Sequence, residues 1–70
     1  MPKSAALEYK KALRNICNAA LCIGEWSNIE LENAARRPTD INWGHVGSAA
    51  KSLEDLREIC RFLNIELKEV

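Results

Sequence analysis

The sequence predicts an all-α fold. Two long amphipathic helices, over about residues 4–23 and 43–64, lie antiparallel with a short helix over about 28–36 between them. Three observations predict it. Two apolar ladders climb the chain at alternating intervals of three and four residues, the spacing that gathers side chains on one stripe of a helix. The composition favours Ala, Leu, Glu, Lys and Arg, with only 3 Gly and 2 Pro in 70 residues. No alternating run of β-branched residues and no hairpin dipeptide competes, and there is no internal repeat or low-complexity tract.

The first ladder is Ala6, Tyr9, Leu13, Ile16, Ala20 and Ile23. Ser4 stands where an N-cap is needed, and Pro2 keeps the helix from starting earlier. Glu8, Lys10, Lys11, Arg14, Asn15 and Asn18 fill the solvated face. Gly24 is the natural weak point at the far end, since glycine commonly follows the last helical residue.

In the bridge, Ser27 followed by Glu30 has the spacing of a capping box, which predicts the short helix over about 28–36. Trp26 and Leu31 flank that cap as a hydrophobic staple would. Pro38 stops the helix, because the residue before a proline is pushed out of the helical region. Arg36 and Arg37 then fall in the last turn, where positive charge suits the helix dipole. The alternative for this pair is a contact with nucleic acid or a partner.

The second ladder is Val46, Ala49, Leu53, Leu56, Cys60, Leu63 and Leu67, widened by Ile59 and Phe62. Asp40 or Asn42 can cap a helix that begins near Trp43, and Ser52 with Asp55 offers a weaker, later start. The earlier start is preferred because the ladder already holds at Val46. Glu54 with Arg57 and Asp55 with Arg61 are placed for surface pairs; Asn64 is a candidate end of the helix, and the alternative is that the ladder carries it on to Leu67.

The stretch "NWGHVGS", residues 42–48, has the look of a ligand loop, with a tryptophan, the single histidine and two glycines. Its G-x-x-G matches the loop that grips nucleic-acid backbone in KH domains, but no strands surround it. His45 has no marked nucleophile within reach and no ligand at the i+4 position, so neither catalysis nor metal binding is expected of it, and it reads as a surface or interface histidine. Gly44, Gly47 and Ala50 recur every three residues, a smooth strip suited to close backbone approach, with Trp43 plugging the helix entry.

Composition narrows the function classes. Ten acidic and ten basic side chains cancel, against a dedicated nucleic-acid or acidic-membrane binder. Cys17, Cys22 and Cys60 are odd in number, and Cys17 and Cys22 are turned about 140° apart on a helix, so they read as small buried hydrophobes in a reducing compartment. The longest apolar run, "AALCI", is far short of a membrane span, and charges interrupt the first 23 residues, so no signal peptide is expected and the cytoplasm is the default compartment.

The segment "DINWGHVGSAAKSLEDLREICRFL", residues 40–63, resembles the C-terminal part of small uncharacterised helical proteins of bacterial plasmids and integrated elements, which share an "INW-G-VG" entry and an "L-EI--FL" helix. That resemblance implies a setting, a bacterial mobile-element accessory protein, and no residue role. Residues 52–70 resemble the last helix and tail of Cro-type helix-turn-helix domains, a scaffold helix there. Upstream the likeness stops, with Pro38 where a recognition helix should be building.

The expectation is one helical domain over residues 1–70, non-enzymatic and without cofactor or metal. It works by protein–protein contact, first as a homodimer, because two seven-residue-period ladders are more than one short core can cover. The alternative is a DNA-binding regulator of helix-turn-helix type using Arg36, Arg37 and the basic face of the first helix.

Overall fold

The computed structural model describes residues 4–69. Every regular element among them is helical: α1 spans Ala5–Arg36, a single 3-10 turn spans Pro38–Asp40, and α2 spans Trp43–Phe62. The chain divides into two compact units, Met1–Arg36 and Arg37–Val70.

α1 starts as its sequence requires. The Leu7 N–H donates to Ser4 Oγ at 3.4 Å and the Glu8 N–H to the Ser4 carbonyl at 3.1 Å, which makes Ser4 the N-cap. Pro2 lies outside the described residues. The expected stop at Gly24 and the separate helix over 28–36 are corrected: α1 is one helix of 32 residues. Gly24 costs about 1 kcal/mol relative to alanine inside a helix, but it has no positive φ and so does not take the left-handed turn that ends one. Ser27 does not cap. Its Oγ donates back to the Ile23 carbonyl at 2.9 Å, the way a serine is accommodated within a helix. The staple read at Trp26 and Leu31 therefore has no helix start to brace. Pro38 supplies the stop, and Arg37 before it sits at φ −133°, ψ 64°, outside the helical region.

Continuity changes the meaning of the first ladder. At about 100° per residue, the stripe of Ala6, Tyr9, Leu13, Ile16 and Ala20 runs on through Gly24, Ser27, Leu31 and Ala34. Ala5, Cys17, Ile23 and Ala35 lie at its margins, and no charged residue interrupts it. Two successive steps of four, Ala20 to Gly24 and Ile16 to Ala20, form a stutter that keeps the stripe straight along the helix. A helix of this length extends about 48 Å.

The second unit is closed at both ends of α2. Asn42 is the N-cap, in extended geometry at φ −124°, ψ 176°. Its Oδ1 accepts from the His45 N–H at 3.2 Å, while its own N–H donates to His45 Nδ1 at 3.1 Å. That reciprocal pair is a capping box with histidine in the place usually held by Glu or Gln. Ile41 and Val46 occupy the flanking positions at which a staple forms. Ser52, the competing cap, sits inside the helix and donates to the Ser48 carbonyl at 2.9 Å.

At the other end the Ile65 N–H reaches the Cys60 carbonyl at 2.8 Å and the Asn64 N–H the Arg61 carbonyl at 3.2 Å. With Asn64 at φ 58°, this is a Schellman closure, so the helix ends where Asn64 predicts and Leu67 is not part of it. Residues 65–69 then turn back along α2. Glu69 accepts from Arg57 twice, Nε to Oε1 at 2.8 Å and Nη2 to Oε2 at 3.2 Å.

Candidate interaction surface

The helices carry more apolar surface than they cover. No described residue is buried, and the exposed large side chains include Tyr9, Leu13, Ile16, Ile23 and Leu31 on α1, Val46, Leu53 and Ile59 on α2 and Leu63 at its C-cap. Within its own unit each ladder is mostly exposed, and the continuous uncharged face of α1 is the longer.

The opening of α2 resolves into local chemistry. Trp43 is the first helical residue and is 86% exposed, so it plugs nothing within its own unit. A Cβ at Gly44 would lie 2.9 Å from Asn42 Oδ1, the oxygen that caps the helix. A side chain at position 44 would crowd the cap oxygen and oblige Asn42 to shift. A Cβ at Gly47 would meet nothing within 4 Å, and Ala50 is exposed. The strip of Gly44, Gly47 and Ala50 is open to solvent over its latter part.

His45 is engaged by its own helix start. Because Nδ1 accepts a hydrogen bond, the neutral ring carries its proton on Nε2. The signal for this role was present in the sequence as an Asn with a hydrogen-bonding residue three positions on, but histidine is not the residue type that the box usually shows.

Arg36 closes α1 with Glu32 Oε2 at 3.8 Å, and Arg37 follows in the connection; they belong to different units. Arg57 does pair with Glu54, Nη1 to Oε2 at 2.9 Å. The expected Asp55–Arg61 pair is replaced. Asp55 takes Lys51 at 2.7 Å, and Arg61 takes Glu58 and, at 3.7 Å, Glu54. The bond to Asp55 holds the Lys51 ammonium above its ordinary pKa.

Cys17 and Cys22 are exposed and Cys60 is half-buried, so the expectation of buried cysteines is corrected, outright for the first two and in degree for Cys60; all three are free thiols. Cys60, Arg57, Arg61, Ile65, Leu67 and Glu69 line a shallow groove between α2 and the returning segment. The double hydrogen bond across it holds the Glu69 carboxyl below its ordinary pKa and the Arg57 guanidinium above its own. Nothing local announces this pair, since twelve residues separate its members.

Among the described residues, no group of three His, Cys, Asp or Glu is placed to hold a metal, and no helix is long and apolar enough to cross a membrane. Comparison with known proteins finds no family model, no curated protein and no solved structure that matches this chain.

Proposed function

We propose that this chain is a non-enzymatic interaction module whose first partner is a second copy of itself. The observation that carries this reading is the uncharged face running the length of α1 with no residue of it buried. Exposed charge normally breaks up such a surface within a turn or two, and contiguous apolar patches of this extent mark contact sites.

In this reading the ladders pair antiparallel in the assembly. The small residues Ala20, Gly24 and Ser27 give α1 a central stretch where another helix can approach closely, and Gly47 and Ala50 offer the same on α2. The neutral net charge favours association, because little long-range repulsion opposes it.

Far-ultraviolet circular dichroism over a dilution series tests it. Isolated helices are marginal in water unless packed, so helix content is expected to fall as the protein is diluted. A helix content independent of concentration from micromolar to nanomolar, together with monomeric mass, overturns the proposal.

A further inference from the structure

The returning segment bears on that contact surface. α2's ladder is open along most of its length, but Leu56, Arg57 and Cys60 are half-buried, and they are the three residues of α2 in that class. Arg57 and Cys60 line the groove closed by Ile65, Leu67 and Glu69. The segment is fixed at two points: the Ile65 N–H on the Cys60 carbonyl, and the Glu69 carboxylate held by both the Nε and Nη2 of Arg57. A two-point carboxylate–guanidinium contact fixes direction as well as distance. Between the anchors, Leu67 is brought back to the helix whose ladder it extends in sequence, now as a cover rather than a rung.

We infer that residues 65–69 form a strap, latched by Arg57 and Glu69, that covers the flank of α2 at Arg57 and Cys60 and competes with a second copy of the chain for that flank. The inference rests on the self-association reading for its competitor, though not for the strap itself. The latch is partly open to solvent on both sides, so it is weak enough to be displaced. A strap of this kind sets a threshold: the α1 face stays available, while this flank of α2 joins the contact only when the latch opens.

The three cysteines supply an internal assay. In dilute full-length protein, the rate at which a maleimide labels each thiol is followed by peptide mass mapping, and association is followed in parallel by sedimentation. Cys60 is expected to label several-fold more slowly than Cys17 and Cys22, which are exposed. Glu69→Gln, and independently Leu67→Asn, are expected to bring Cys60 up to their rate and to tighten association several-fold. A Cys60 rate unchanged by both substitutions overturns the strap. A raised rate with unchanged association in a protein that does self-associate overturns the competition. A raised rate in a protein that is monomeric in every form overturns the self-association reading, and the competition with it, while leaving the strap in place.

Discussion

Gly44 and Gly47 share a helix and a residue type, yet only at Gly44 does an added methyl group strike a neighbour. Gly47→Ala is expected to stabilise α2 by about 0.5–1 kcal/mol, the usual gain of alanine over glycine in a helix interior. Gly44→Ala should gain little or nothing, because its Cβ displaces the Asn42 oxygen that accepts from His45. Asn42→Ala removes the same bond directly and is expected to cost about 1 kcal/mol. Thermal unfolding of the three variants at one protein concentration checks the order. If Gly44→Ala gains as much as Gly47→Ala, the glycine does not serve the cap. The Arg57–Glu69 latch is the other residue-scale device. Glu69 is held below its ordinary pKa when docked. Its contribution is therefore fully present above the ordinary carboxylate range and is lost as pH falls through that range towards the lowered value. The methyl signals of Leu67 in an NMR titration should move to their undocked positions as the sample is acidified, and also as salt is raised. Signals that stay fixed in both titrations would contradict the latch.

At the scale of the element, α1 holds the main departure from what its residues announce. The Ser4 cap, the Pro38 stop and the ladders as far as Cys60 were legible, because each rests on a local pattern with a strong physical cause, whereas the second helix had two caps, Asp40 or Asn42, and two ends, Asn64 or Leu67, between which the structure takes Asn42 and Asn64. Gly24 and Ser27 misled for the same reason. Each is a good terminator or cap when helix competes with turn, but neither carries a cost large enough to interrupt a helix that is favoured on both sides. Projecting the ladder through Gly24 rather than stopping at it recovers the continuous stripe from sequence alone. The returning segment could not be recovered that way, since the pairing of Arg57 with Glu69 has no local signature. Two substitutions separate a helix interior from a helix end at position 24. Gly24→Ala is expected to raise helix content by stabilising α1 by about 1 kcal/mol, and Gly24→Pro to lower it at a cost of about 3 kcal/mol. Proline tolerated without loss of helix would place a break there after all.

For the whole molecule, the apolar side chains left exposed among the described residues are the feature with most consequence. Placing a charge on the α1 face, as Ile16→Asp or Leu31→Asp, is expected to weaken self-association by about tenfold or more, since a buried unpaired carboxylate costs at least the 1.4 kcal/mol that one such factor represents. Lys10→Asp or Arg14→Asp, on the solvated side, should change it little. Equal effects from both pairs, seen by mass-resolved chromatography, would mean that the contact is not made through this face. Sedimentation equilibrium of the unmodified chain over a wide range of concentration tests self-association most directly. A reversible association to a dimer or larger closed assembly, with helix retained in the assembled form, is the result predicted. A single species of monomer mass at the highest concentration, still fully helical, would contradict it.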